Sequence, residues 1–238
     1  MTSCDLKSCY DRVAHTPAVL ALTGFGAPQE PLLCLFHSIQ VMQYTTRKSY
    51  GGSDQILGGL AEGFTSRPQG FGQGNGLASQ GWTGVSTRMF EVMHLREKQT
   101  RFYTPISIHF LDLCGLAYVD DVDIFAGLNR DNDAILALEK IQDTVDCWES
   151  IAKVTGRAIK TNKIWWYLLY YKWDKNDKWS YGDLKEYKNP SIKSRNANGM
   201  IETLEYLPTN KGKKMLGVHL TPNDSNQLQI EKQRKSRV

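Results

Sequence analysis

No apolar run in the 238 residues approaches the length of a membrane-spanning helix, and no signal-peptide core opens the chain. The five cysteines (Cys4, Cys9, Cys34, Cys114 and Cys147) form no close pair at metal-ligand spacing. Their odd number suits reduced thiols better than a disulfide framework. These absences argue against a helical membrane protein, a small secreted disulfide scaffold and a cysteine zinc finger, and they predict an intracellular protein, nuclear or cytoplasmic. A large charge excess is lacking too. The formal net charge of +4 permits a nucleic-acid partner without demanding one. What is present suffices for a core: 41% of residues are hydrophobic and 23% charged, outside the range of disordered chains.

Along the chain, Val13 to Leu22 and Pro31 to Val41 carry apolar residues at helical spacing, separated by a break at Gly24-Phe25-Gly26-Ala27-Pro28. Gln43 to Tyr50 predicts a strand ended by Gly51-Gly52. The densest glycine cluster, Pro68-Gln69-Gly70-Phe71-Gly72-Gln73-Gly74-Asn75-Gly76, leads into a predicted helix over Leu77 to Leu95. Such a loop lets a ligand approach the backbone, and helix-start amides favour anions. It lacks the Lys-Ser/Thr of a Walker loop, so a plain connector is the alternative reading. Asp131-Asn132-Asp133 offers caps for an amphipathic helix whose stripe is Ile135, Leu138, Ile141, Val145, Trp148 and Ala152, closed by Gly156.

One acidic turn also lacks glycine. Leu111 to Ala117 and Val122 to Ala126 predict buried strands around Asp120-Asp121. Hairpin turns favour Asn-Gly or Asp-Gly, because their backbone needs left-handed conformations. Two adjacent carboxylates turn a chain poorly and repel one another unless a cation lies between them, which points to a hard-metal site. Asp123 follows on the second strand, and its backbone position does not exclude it from that site.

From Ile164 the composition shifts. Trp165, Trp166, Tyr167, Tyr170, Tyr171, Trp173, Trp179, Tyr181 and Tyr187 interleave with Lys163, Lys172, Lys175, Lys178, Lys185 and Lys188. Aromatics among cations suit base stacking and phosphate contact, although an aromatic strand with a lysine-bearing outer face has the same composition. Asn189 to Gly199 reads as a polar loop, Lys213 to Leu220 as a strand, and Gln229 to Val238 as a basic tail.

Five motifs in order resemble those of reverse transcriptases. Asp5-Leu6-Lys7-Ser8-Cys9-Tyr10-Asp11 is similar to their first catalytic motif, a strand-end Asp with an aromatic five residues on. Gly72-Gln73-Gly74-Asn75-Gly76 resembles their Gln-Gly loop, Tyr118-Val119-Asp120-Asp121 their Tyr-x-Asp-Asp hairpin, Gly156 with Lys163 their fourth motif, and Met215-Leu216-Gly217 their primer grip. The likeness is nearest to retroelement enzymes without long terminal repeats and to related algal sequences.

That resemblance implies an α+β polymerase palm, a ferredoxin-like split βαβ sheet with helices on one face. It implies RNA-templated DNA synthesis by two magnesium ions about 3.5–4 Å apart, with manganese as a substitute. Asp5, Asp120 and Asp121 would be the metal ligands and catalytic carboxylates, with Lys163 the acid for pyrophosphate departure. Tyr10, Gln73 and Gly74 would line the nucleotide pocket, Tyr10 as the gate against a 2′-hydroxyl. Asp11 would make a helix-start contact. Met215, Leu216 and Gly217 would grip the primer. The implied partners are an RNA template, a DNA primer, deoxynucleoside triphosphates and further domains of a parent polyprotein, with no membrane. The implied organisation is a palm over 1–173 with the fingers missing, an insertion or connector over 174–212, and the primer-grip-like hairpin with the start of a thumb over 213–238. Two rivals are a non-catalytic relic or nucleic-acid-binding fragment, and an RNA-directed RNA polymerase. Against the latter, Val119 stands where a Gly-Asp-Asp hairpin has glycine, and Tyr10 occupies the gate. Ala78-Ser79 departs from the family's usual Ser-Pro after the Gln-Gly loop.

Overall fold

The computed structural model describes residues 1–6, 10–58, 70–72, 76–104, 109–118, 121–128, 133–182, 184, 187, 190–215, 218–223, 225 and 227–235. At 5, 44–48, 52–58, 214–215, 218–220, 228, 232–233 and 235 it describes the backbone alone. The chain opens with β1 (Thr2–Asp5), α1 (His15–Gly24), α2 (Gln29–Val41), β2 (Gln43–Lys48) and β3 (Gly51–Gly58). Then come α3 (Ala78–Leu95), β4 (Thr100–Tyr103), β5 (Phe110–Leu113), β6 (Gly115–Tyr118), β7 (Asp121–Ile124) and α4 (Ala134–Val154). A 3-10 turn at Thr161–Lys163 precedes β8 (Trp165–Trp166), β9 (Tyr171–Trp173), β10 (Trp179–Tyr181), β11 (Lys193–Arg195), β12 (Ile201–Thr203) and β13 (Glu205–Tyr206). The chain closes with β14 (Lys213–Met215), β15 (Val218–Leu220) and α5 (Gln227–Lys235).

This is an α+β protein. Its principal sheet has the order β13-β8-β1-β7-β6, antiparallel throughout except for the β13–β8 pair. Successive side chains of a strand point to opposite faces. One face of this sheet carries Thr2, Cys4, Val122, Ile124 and Trp166, all buried. They join a core with Met89 and Met93 of α3 and with Ile141, Val145, Trp148 and Ala152 of α4. Phe90 packs 5.5 Å from Trp148, ring to ring. The helices thus cover one face and leave the other to more polar residues.

Local chemistry explains α4. The Asp133 side chain accepts hydrogen bonds from the Ile135 and Leu136 amides, satisfying donors that a helix start leaves without partners. Gly156 ends the helix region at φ +87°, a conformation that costs glycine little. Of the predicted stripe, Ile141, Val145, Trp148 and Ala152 are buried, whereas Ile135 is exposed.

Several expectations need correction. The run Leu111 to Ala117 is two strands, not one: β5 pairs with β4, the chain bends at Cys114, and β6 pairs with β7. Leu111 and Leu116 are exposed, so apolar character there does not signal burial on both faces. Gly51-Gly52 begins β3, which pairs back onto β2. The segment expected to be a polar loop contains β11, paired with β12. The N-cap position of α1 is Ala14, whose side chain makes no capping hydrogen bond. Part of the basic tail forms α5. Among the described residues, no helix is long and apolar enough to cross a membrane.

Replacing Asp133 by Ala removes the α4 cap and should lower stability by about 1 kcal/mol. The expected readout is a lower urea midpoint with an unchanged slope.

Candidate functional site

The central strand β1 sets the geometry of the polar face. Its register pairs Asp5 with Asp121 and Ser3 with Asp123 across to β7, and Ser3 with Trp165 across to β8. The β6–β7 hairpin pairs Tyr118 with Asp121, so residues 5, 121 and 118 form one row across three strands. The 3-10 turn ending at Lys163 lies beside β1, and Lys163 is exposed there. Two positions of the first and third motifs, far apart in sequence, are therefore direct cross-strand neighbours. Asp120 lies outside the described residues, and Asp5 is placed by its backbone alone. Among the described residues, no group of three or more His, Cys, Asp or Glu side chains stands together as a metal centre.

Asp123 occupies the next row on this face and is 4% exposed. Burial pushes its carboxyl up to about 6, opposed by a hydrogen bond from the Ser3 hydroxyl and reinforced by the nearby Asp121. Its Oδ1 meets no hydrogen-bond donor among the described residues. A buried carboxylate next to another is costly, and the Met1 ammonium nearby offsets part of that cost.

A cavity of about 340 Å³ lies between α3 and β6, lined by none of the described residues of this row. Tyr10 forms one wall, Trp82, Thr83 and Phe90 another, and Gly115 to Ala117 the third. On the helix wall, the Thr83 and Thr87 hydroxyls donate to the carbonyls of Ser79 and Thr83, spending their donors on their own helix. Behind Trp82, the buried Arg157 guanidinium stacks 3.5 Å from the ring centroid. A cation thus stands one ring away from the cavity. A larger hollow of about 890 Å³ lies on the helical side among Leu20, Ala21, Val85, Met89, Val92 and Ile151. It holds none of the predicted site residues, so size alone does not mark the chemistry.

The glycine-rich segment is fastened to the first motif. The Phe71 amide donates to the Tyr10 carbonyl at 2.7 Å, and the Gly70 amide donates to the Val13 carbonyl at 2.9 Å. The Gln40 amide donates to His15 Nδ1, which leaves Nε2 as the donor to the Gly70 carbonyl, both at 2.9 Å. His15, Phe36 and Phe71 stack in succession beneath this junction. Gly70 has φ +83°, and a Cβ there would lie 2.1 Å from the Tyr10 carbonyl oxygen. Only glycine fits that approach. Gln73 and Gly74 follow within the loop but lie outside the described residues, as do Leu216 and Gly217. Met215 ends β14 opposite Val218 of β15, with only its backbone described.

Ser3, His15 and Arg157 carry no sequence signal of these roles, since each acts through contacts with residues distant in the chain. No protein-family model matches this chain, and no curated protein does either.

Gly70→Ala should cost about 2–4 kcal/mol, combining a left-handed backbone with a clash against residues 10 and 11. Gly72, at φ +75° with open space around a Cβ, supplies the comparison. Gly72→Ala should cost only about 1–2 kcal/mol in the same urea titration.

Proposed function

We propose that this chain is the palm of a template-directed nucleotidyltransferase, and that its reaction is RNA-templated DNA synthesis of the reverse-transcriptase kind. The observation that carries the proposal is the register that sets Asp5 opposite Asp121, with Tyr118 completing the row. The strand order supports it. Taken in sequence, β1, α3, β6, β7, α4 and β8 run strand, helix, strand, strand, helix, strand. In the sheet, β1 lies between β7 and β8, with β6 beyond β7. With α1, α2 and β2 to β5 set aside as additions, that order is compatible with a split βαβ unit.

The donor set fits hard divalent cations. Asp5, Asp120 and Asp121 offer only carboxylate oxygens, which suit magnesium, with manganese as a substitute. The buried Asp123 Oδ1, which meets no hydrogen-bond donor among the described residues, lies two residues along β7 from Asp121 and supports this reading. Bound there, the ions supply activation of the primer hydroxyl and charge neutralisation on the triphosphate. The chain's own residues position and select. Tyr10, on the cavity wall, occupies space that a ribose 2′-hydroxyl would need. Arg157 behind Trp82 biases the cavity toward an anionic ligand. Gln73 and Gly74 are assigned to the nucleotide pocket by the resemblance alone. Lys163, at the edge of β1, is the group to protonate the departing pyrophosphate oxygen. Met215, Leu216 and Gly217 hold the primer end.

The test is primer extension on an RNA template in magnesium, with Asp121→Asn and Asp120→Asn as comparisons. Loss of at least about a hundredfold in rate is expected for each, as for removal of a charge-stabilising group in a polar site. Titration calorimetry with manganese should show weakened binding by both variants. Equal background incorporation by all three chains would overturn catalysis and leave a nucleic-acid-binding relic as the better account. In active enzyme, Tyr10→Ala should raise ribonucleotide incorporation relative to deoxynucleotide. An unchanged sugar preference would remove Tyr10 from the gate.

A further inference from the structure

Beyond the carboxylate row, β9 and β10 form a separate two-stranded hairpin that the palm reading leaves without a role. Its register pairs Tyr171 with Tyr181 and Trp173 with Trp179, and cross-strand partners share a face. All four aromatic residues therefore lie on one side. Trp173 is 62% exposed, Trp179 49% and Tyr171 41%, a concentration of large rings in solvent rather than the scattered apolar residues of an ordinary surface. Three of the rings are ordered against one another, Tyr171 lying 5.6 Å from Trp179 and 5.5 Å from Tyr181, and Trp179 5.4 Å from Tyr181, while Trp173 is the most exposed of the four.

The base of the hairpin is anchored by Leu168 and Leu184, both buried, and by Tyr170 packed edge-on to Tyr187. Its tip is a closed turn in which Asp174 Oδ1 accepts from the Asn176 and Lys178 amides. That carboxylate is engaged by its own loop, while Lys175 and Lys178, close in sequence to Trp173 and Trp179, are exposed, as is Asp177 between them. On the opposite side of the strand, the Lys172 ammonium lies 5.8 Å from the Tyr170 ring centroid. Preordered rings with lysines at their margin offer stacking to bases and charge to phosphates.

We infer that the aromatic face of the β9–β10 hairpin is a binding site for single-stranded nucleic acid, with bases stacking on Trp173 and Trp179 and phosphates meeting Lys175 and Lys178. Ordered rings reduce the entropy lost on binding, and stacking is indifferent to base identity, so the site is sequence-tolerant. It acts independently of metal and of the carboxylate row. A carbohydrate or a protein surface would also cover exposed rings, but neither makes use of the flanking lysines in the same salt-dependent way.

The experiment follows fluorescence anisotropy of a fluorescein-labelled oligothymidylate of about ten nucleotides, in chelator, with the full chain. Binding should quench tryptophan emission and weaken as salt rises. Trp173→Ala should weaken it at least about fivefold, the lower end expected for loss of one stacked base. Lys175→Gln, which leaves the rings in place, should reduce the slope of log affinity against log salt by about 0.7. Run in chelator and without nucleotide, the assay needs no primer extension, so its outcome is read separately from that of the polymerase reading. Unchanged affinity for both Trp173→Ala and Lys175→Gln, or no binding by the unsubstituted chain, would overturn the inference. So would binding whose strength does not vary with salt.

Discussion

Everything near the candidate site depends on β1 lying between β7 and β8. A strand of four residues, paired on both edges, has no freedom to slip: a shift of one residue would turn Cys4 out of the core and put a carboxylate in. Cys4 and Val122 pair on the helix-covered side, and their burial fixes Asp5 and Asp121 as neighbours on the other. The hydrophobic side of the sheet thereby determines the polar side. Core packing and carboxylate placement are one constraint, not two.

Much of the α-helical framework was legible because its signals are local. The stripe ending in Trp148 and Ala152, with Asp133 ahead of it and Gly156 behind, contains its own start, face and stop. The strands were less legible because their partners are remote. β11 lies in a stretch whose composition suggests a loop. It is held there by α4: Glu149 accepts from the Ser194 hydroxyl and the Arg195 amide, and Gln142 accepts from the Lys193 amide. Glu202 on the partner strand accepts from Thr161 and from Asn196. Polar strands fastened by side chains dozens of residues away leave no periodic trace.

The candidate site divides in the same way. Asp5, Tyr10 and Asp121 could be singled out because they belong to short motifs, and motifs are local. Their support could not. His15 ties α1 to Gly70 and, through Gln40, to α2, and nothing within its own stretch distinguishes it from a surface histidine. Arg157 follows a helix end, where a basic residue is ordinary, yet it is buried against Trp82 of another helix. Sequence therefore reveals the groups suited to chemistry more readily than the groups that orient them.

The polar face is itself asymmetric, and this bears on how any ligand reaches it. At the β8 side, Trp165 is 9% exposed and stacks 5.8 Å from Tyr167, alongside the row that contains Ser3 and the buried Asp123. At the β6 side, Leu116 and Tyr118 are 58% and 64% exposed, and β6 is the outer strand of its sheet. Aromatic cover thus closes one flank of the carboxylates and leaves the other open. Asp121 lies between them, partly exposed, whereas Asp123 one row deeper is sealed. Two carboxylates separated by a single residue on one strand consequently differ in access. The outer is open to solvent, and the inner, whose burial disfavours its charged form, is not.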